Sequence, residues 1–506
     1  MKIYSAEAED LKVLHDLLKV HFPETELAIF PLEAKEAEEP AAGSLNLIIA
    51  RQDKGLRVRL RIAQHDYQHM ESTLKNNFPE QETNRNRRLL RLAVYRVLSK
   101  YFAGMNSAEA QEDSRGLSPW GVLTGVRPVK IVHRLLDLGF PREKVSRILL
   151  NEYGLRPDKA ELVCRTAEYQ RPYLLTAEEA ARRIGIYISI PFCPTRCHYC
   201  SFPSLPLSRW GHLLEAYLEA LQKEIRAVGE SIKDSALTVG SVYLGGGTPT
   251  LLTAAQLDRL LKTTAAAFRY GTDCEVTVEG GRPDTLDFNN LQVIRNNQAK
   301  RLSINPQTMC ERTLYTIGRR HTVAQIKESR HMAKRMGIPT INMDLIVGLP
   351  GEDISDLALT LTETLALRPE NITLHALALK RAAIYRQENI VVRSAGWSKG
   401  QAMMAFAQKA VEKAGYLPYY LYRQKDIFAH GENVGYTLEG HVCRYNIEMM
   451  EEKQTIIGCG VGAGSKIINP RQEGIENIYN PKDLLMYLDR LDDLILKKID
   501  KLKAFV

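Results

Sequence analysis

Between Gly185 and Leu379, short apolar runs alternate with longer stretches whose apolar residues recur at helical spacing. GIYISI (185–190) reads as a buried strand, and an amphipathic helix follows at about 209–229. SVYLGG (241–246), CEVTVEG (274–280), KRLSIN (300–305), PTINMDLIVG (339–348) and 371–379 continue the strand series. Helical periods at 254–268, 284–297, 323–336 and 353–366 separate them. Strands and helices in this alternation predict six βα units, and so a parallel sheet with right-handed crossovers, either a barrel or part of one. In such a sheet, functional side chains collect on loops at the C-terminal strand ends.

The earlier part of the chain has a different rhythm. SLNLIIA (44–50) and GLRVRLRIA (55–63) alternate apolar and polar positions and predict a strand pair joined by the turn RQDKG. Helical periods then run over 86–103, 128–138, 142–152 and 157–170. A chain of 506 residues is too long for one ordinary core. The expected division is an N-terminal α+β domain of unknown role over 1–180, a barrel over 181–380 and a mixed α/β domain over 381–506 that covers the substrate.

Composition changes this picture little. A hydrophobic share of 44% and a charged share of 25% are those of a soluble globular protein. No uncharged apolar run reaches the roughly 18 residues of a membrane span. The opening MKIYSAEAED has neither a basic region nor an apolar core, so a cytoplasmic chain without a secretory signal is expected. The net charge is only +8, with local basic clusters in NRNRRLLRLAVYR (84–96) and GVRPVKIVHR (125–134). These fit solvated helix faces, or a cradle for a nucleic acid or a small polycarboxylate. His65 and His69 stand four residues apart with no thiol nearby, and read as a surface pair rather than a shared metal site.

The cysteines do change it. Cys164, Cys274, Cys310, Cys443 and Cys459 are scattered singly, as reduced buried thiols would be. Cys193, Cys197 and Cys200 are crowded into CPTRCHYC, on the loop after the first strand of the series. Three thiolates favour a soft metal. Structural zinc normally takes four protein ligands from two separated pairs, and no second pair exists. A three-cysteine loop suits a four-iron cluster in which one iron lacks a protein ligand and remains open to a small molecule. Other strand ends carry GGGTPT (245–250), Glu279, Gln307 and Asp344, acceptors suited to a cationic, hydroxyl-rich ligand.

CPTRCHYC resembles the CxxxCxxC loop of the radical S-adenosylmethionine (SAM) enzymes. With YISIPFCPTRCHYCSFPS, GGGTPT, VEGGRPDTL, RLSINPQTM, IGRRHT and NMDLIVGLPGE in this order, residues 185–470 resemble the oxygen-independent coproporphyrinogen III dehydrogenase family, in a longer subgroup with an N-terminal extension. The resemblance implies a partial (β/α)6 radical SAM barrel. It implies that Cys193, Cys197 and Cys200 hold a [4Fe-4S] cluster whose open iron takes the methionyl amine and carboxylate of SAM. Tyr187 would approach the sulfonium, and Tyr199 and Phe202 would flank the adenine. Gly245, Gly246 and Thr248 would line the SAM backbone site, and Glu279, Gln307, Arg319, Asp344 and Ala378 would complete it. CGVGAGSKI (459–467) resembles the family's C-terminal glycine-rich segment.

Two departures stand out: Ser189 occupies a position where many members carry histidine, and Ser201 and Phe202 follow the triplet where well-characterised members add a cysteine. The implied reaction converts coproporphyrinogen III to protoporphyrinogen IX with two SAM consumed per substrate. The implied partners are a tetrapyrrole and an electron donor such as flavodoxin or ferredoxin, with no nucleic acid, no membrane and a monomeric chain. Arg423, Lys425 and the GVRPVK segment are candidates for binding the four substrate carboxylates. The alternatives are a haem chaperone, a haem-modifying radical methyltransferase or ring-opening enzyme, and an RNA-modifying enzyme, though nothing in 1–180 resembles an RNA-binding module.

Overall fold

The computed structural model describes the chain apart from residues 24, 33–44, 54, 63–64, 73–77, 105–115, 126, 381, 388–396, 425–426, 469–473 and 506. It forms two compact units. The first joins Met1–Glu168 with Ala395–Ala402 and Arg423–Glu432; the second joins Tyr169–Ser394 with Met403–Tyr422 and Asn433–Val506.

The first unit holds a five-stranded sheet in the order β2-β1-β3-β4-β5, made of β1 (Lys2–Tyr4), β2 (Ala28–Phe30), β3 (Leu45–Gln52), β4 (Gly55–Ile62) and β5 (His65–Ser72). The alternating strands found in the sequence are β3 and β4, antiparallel and in register from Leu45↔Ile62 to Gln52↔Gly55. β5 reads HDYQHMES, an almost wholly polar and largely exposed edge strand with no apolar period to reveal it. His65 and His69 lie along β5, about 13 Å apart at the rise of an extended chain, too far to share an ion. His69 instead sits 3.1 Å from Glu71. The helix Glu82–Gly104 buries Leu89, Leu90, Ala93, Val94 and Val97, an i, i+3, i+4 series.

The second unit is built on an eleven-stranded sheet. Six strands run parallel: β6 (Arg183–Ile190), β9 (Thr238–Gly246), β10 (Glu275–Gly281), β11 (Arg301–Ile304), β12 (Thr340–Val347) and β13 (Asn371–Ala376). A two-residue pair, β7 (Phe192–Cys193) with β8 (Leu205–Pro206), ties down the loop after β6. β14 (Leu417–Tyr422) and β15 (Asn433–Thr437) extend the β13 edge antiparallel. On the other edge β16 (Thr455–Cys459) pairs parallel with β6 and carries β17 (Gly464–Ile468) and β18 (Ile475–Tyr479) antiparallel. The sheet is open at both ends, a partial barrel whose edges are extended by strands from the C-terminal part of the chain.

The helices predicted between the strands lie at Leu214–Ile232, Ala254–Phe268, Phe288–Asn296, Val323–Arg335 and Ile354–Leu367. Their starts follow from capping chemistry. Thr253 with Gln256, Thr322 with Gln325 and Asp353 with Asp356 each form reciprocal capping boxes that satisfy otherwise unpaired N–H groups.

The two faces of the sheet differ in chemistry. Ile186, Ile188, Val242, Leu244, Val276, Val278, Leu302 and Ile341 are buried on the face that the helices cover. The alternate positions carry Tyr187, Ser189, Tyr243, Thr277, Glu279, Arg301, Ser303, Asn342, Asp344, Thr373 and His375. Register aligns these across the sheet, as Tyr187↔Tyr243, Thr277↔Arg301, Glu279↔Ser303, Ser303↔Asn342 and Asp344↔Thr373. A parallel sheet buried on both faces that still devotes one whole face to polar groups has an interior made for a ligand. The helix Arg444–Glu451 packs against that face: Tyr445 stacks on Tyr243 at 4.6 Å and on Tyr187 at 6.2 Å, and Ser241 donates to Glu448 at 2.6 Å.

Candidate active site

The cysteine loop leaves β6 at Pro191 and is held by backbone bonds. Leu205 N donates to Pro191 O at 2.8 Å, Gly247 N to Ile190 O at 2.7 Å and Thr248 N to Phe192 O at 2.8 Å. The glycine-rich turn after β9 is therefore stitched to the start of the loop. Gly246 has φ +111°, and a Cβ on Gly247 would lie 2.6 Å from Phe192 O and 2.9 Å from Cys193 Sγ. Only glycine permits that approach. Thr248 Oγ1 completes the seam by donating to Cys193 Sγ at 3.5 Å.

The far side of the loop is clamped to the turn before Arg319. His198 N donates to Ile317 O at 3.0 Å, and the His198 ring lies 3.0 Å from Thr316 O. Arg282 Nη1 donates to Thr195 Oγ1 at 2.6 Å while its Nε and Nη2 hold Asp284 at 3.0 and 2.9 Å.

Burial raises the thiols of Cys193 and Cys200, the latter to about 11, with the neighbouring cysteines adding to the rise. The three sulfurs are thus close enough to feel one another. Among the described residues no three His, Cys, Asp or Glu side chains are gathered around a point suited to a single metal ion. Arg319, 6% exposed, donates from Nη2 to Tyr199 Oη at 3.2 Å, and its Nε is buried without a partner. Burial opposes its charge, but Tyr199 and Cys197 raise its pKa on balance.

The other expected ligands line the polar face. Glu279 accepts from Gly246 N at 3.3 Å, and a Cβ on Gly245 would lie 2.6 Å from Glu279 Oε2. Burial first, then the charge of Asp344, raises Glu279 to about 7. Asp344 moves the other way: burial works against its charge, but His375, 3.8 Å away, and Asn342 Nδ2, donating at 2.8 Å, lower its pKa. Gln307 follows β11 with φ +68°, its main chain pinned by Asp344 O at 2.9 Å and by Ile346 N at 2.9 Å. Its Oε1 is buried without a partner.

The structure thus brings together the cysteine loop, Gly245, Gly246, Thr248, Glu279, Gln307, Arg319 and Asp344 through these contacts. Tyr187 lies in the aromatic stack with Tyr243 and Tyr445. Ala378 lies just beyond β13, and Phe202 is 64% exposed beside the loop. Ser189 donates to Val461 O at 2.8 Å, which ties β6 to the glycine-rich 459–467 segment. Arg423 is only 5% exposed; its guanidinium lies 4.9 Å from the Trp120 ring and donates to Leu123 O, so its charge is committed inside the first unit. Lys425 lies outside the described residues.

Several residues of this site were missed in the sequence: Tyr243, Arg282, His375 and Tyr445. The signal for Tyr243 and His375 was the period-two polar series inside otherwise apolar strands. Arg282 reaches the site from a turn inside the VEGGRPDTL stretch, where the motif was noted without a role for its arginine, and Tyr445 reaches it from a later helix that no local pattern marks.

Residues 187–363 match the family model described as the Radical SAM superfamily. The chain is 39% identical over 385 residues to the oxygen-independent coproporphyrinogen-III oxidase-like protein HemZ of Bacillus subtilis, covering 76% of this chain and 77% of that protein. It is 27% identical over 315 residues to the heme chaperone HemW of Lactococcus lactis, covering 62% and 77%. Among solved structures, coproporphyrinogen III oxidase (HemN) from Escherichia coli superposes with a TM-score of 0.52 at 23% identity, covering 62% of this chain and 71% of that one, a likeness of fold.

Proposed function

Because the chain belongs to the radical SAM superfamily, in its oxygen-independent coproporphyrinogen III oxidase-like branch, we propose that it oxidatively decarboxylates two propionates of coproporphyrinogen III to give protoporphyrinogen IX. Membership of the superfamily implies a [4Fe-4S] cluster and SAM. The observation that carries the reading is the joining of the three-cysteine loop, through Thr248 and the glycine turn, to the carboxylate-bearing face of the same sheet. The residues present fit the group: three thiols, glycines that leave room where any Cβ would collide, and two buried polar atoms, Gln307 Oε1 and Arg319 Nε, without protein partners.

When bound, the cluster and SAM would supply the radical chemistry that removes a hydrogen atom from the substrate. The chain holds and orients. Cys193, Cys197 and Cys200 ligate as thiolates, so metal binding must displace their protons. Arg319 would bind the carboxylate of SAM, and Glu279 and Asp344 would accept from its ammonium and hydroxyl groups. Tyr199 and Phe202 would hold the adenine together with Ala378, and Tyr187, from the aromatic stack, would lie toward the sulfonium. Two SAM molecules serve each substrate, and a flavodoxin or ferredoxin in the cytoplasm delivers the electrons to a monomeric enzyme.

The test is anaerobic incubation of the reconstituted protein with SAM, reductant and coproporphyrinogen III, read by mass spectrometry. The expected products are protoporphyrinogen IX with two methionines and two 5′-deoxyadenosines. The similarity to a heme chaperone favours a second reading, in which the chain binds haem and passes it on. Tight haem uptake with unchanged coproporphyrinogen would replace the first reading with this one.

A further inference from the structure

We propose that His375 is a positioning residue of the SAM pocket: as an imidazolium it is the counter-ion that keeps Asp344 anionic beside Glu279, so that both carboxylates face a cationic ligand together. The proposal rests on the SAM reading above. His375 lies on β13 two residues beyond Thr373, the register partner of Asp344 on β12, and so stands diagonal to Asp344 on the same face, with Nε2 3.8 Å from Asp344 Oδ2. Its Nδ1 is 3.2 Å from Asn433 Oδ1 and 3.4 Å from Tyr422 Oη. Asn433 Nδ2 donates to Tyr422 O at 3.5 Å, which turns Oδ1 of that amide toward the imidazole. An amide oxygen only accepts, so Nδ1 carries a hydrogen. Nε2 lies at ion-pair distance from a carboxylate, so a charged Asp344 favours a second proton on the ring.

The surrounding groups leave this role to His375. The elements packed about it bring Asp344 and Asn342 from β12, Glu279 from β10, Tyr420 and Tyr422 from β14, Asn433 from β15 and Thr373 from its own strand. Among the described ion pairs, His375 is the one cationic partner of Asp344. The charge directions agree. His375 is raised despite burial by Asp344 and Asn433, Asp344 is lowered despite burial by His375, and Glu279 is held up near 7. Two carboxylates that share a site without a counter-ion cannot both stay ionised near neutrality. Removing the imidazolium therefore tightens the pair's hold on the proton that Glu279 already carries below neutrality, and SAM, which carries a sulfonium and an ammonium, must displace that proton to bind.

The experiment measures SAM affinity by anaerobic calorimetry on the cluster-loaded chain at pH 6.5 and 8.5. Wild type, His375→Gln, His375→Asn and the double variant His375→Gln/Glu279→Gln are compared. Far-UV circular dichroism and cluster absorbance establish which variants fold and load, and either single variant suffices. The expected result is a loss in the single variant of about tenfold relative to wild type at pH 6.5, the effect of about one proton per pH unit, shrinking to less than threefold at pH 8.5. The double variant, with one carboxylate left, should lose the pH dependence. A single variant with wild-type affinity at pH 6.5 would overturn the proposal, and so would an equal loss at both pH values, which marks a purely structural role. Failure of the cluster-loaded wild type to bind SAM at either pH would remove the cofactor reading as well.

Discussion

Glu279 is placed by its backbone at the end of β10, where Gly246 N reaches its carboxylate and Asp344 repels it. Its pKa of about 7, against 4.5 in an unfolded chain, means that the folded protein holds a proton there which the unfolded chain releases. Between those two values the unfolded state binds fewer protons, so folding stability contributed by this group falls as pH rises from about 4.5 to 7. Glutamine cannot titrate and mimics the protonated acid. Without SAM, Glu279→Gln should match wild type in urea midpoint near pH 5 and exceed it at pH 8; equal midpoints at pH 8 would show that the carboxylate is not under this strain. Cys193, Cys197 and Cys200 were legible as a group because their spacing alone excludes ordinary structural roles. His375 was not, because one histidine in a strand carries no pattern of its own until the fold brings it within 3.8 Å of Asp344.

At the scale of elements, the parallel strands and their helices were readable because apolar period and length agree with caps: the helix expected over 254–268 occupies Ala254–Phe268, begun by the Thr253 capping box. The polar edge strand β5 and the three-residue strands β1 and β2 were not, since they bury too little to impose a period. Nor did the sequence reveal what fastens the last helix, Leu491–Phe505. There Lys498, fully buried, pairs with the equally buried Glu224 of Leu214–Ile232. Glu224 also accepts from Gly460 N at 2.7 Å, Asn480 Nδ2 at 2.9 Å and Tyr487 Oη at 2.8 Å. Lys498→Met leaves that carboxylate buried without its cation and should cost about 3–5 kcal/mol in chemical denaturation. Adding Glu224→Gln should recover part of the loss; no recovery would mean that lost packing, not the stranded charge, sets the cost.

At the scale of the whole molecule, the N-terminal unit is completed by residues more than two hundred positions away in the chain. Glu432, fully buried, accepts from Trp120 Nε1 at 3.0 Å and from Lys159 Nζ at 2.6 Å, while Arg423 covers the Trp120 ring. A boundary drawn from local periodicity cannot see such a return. A fragment of residues 1–168 would strand a buried ammonium and an indole N–H, and should therefore show no cooperative thermal transition by circular dichroism; a sharp transition would show that the unit is complete without the returning segments.

The same scale holds the central claim, that three cysteines leave one iron free for SAM. It is tested most directly by electron–nuclear double resonance on the reduced, reconstituted chain with SAM carrying ¹⁵N in its amine and ¹⁷O in its carboxylate. The account predicts hyperfine coupling of both labels to the cluster, lost when any one of Cys193, Cys197 or Cys200 is replaced by alanine. A reconstituted four-iron cluster that binds SAM with neither label coupled would contradict it.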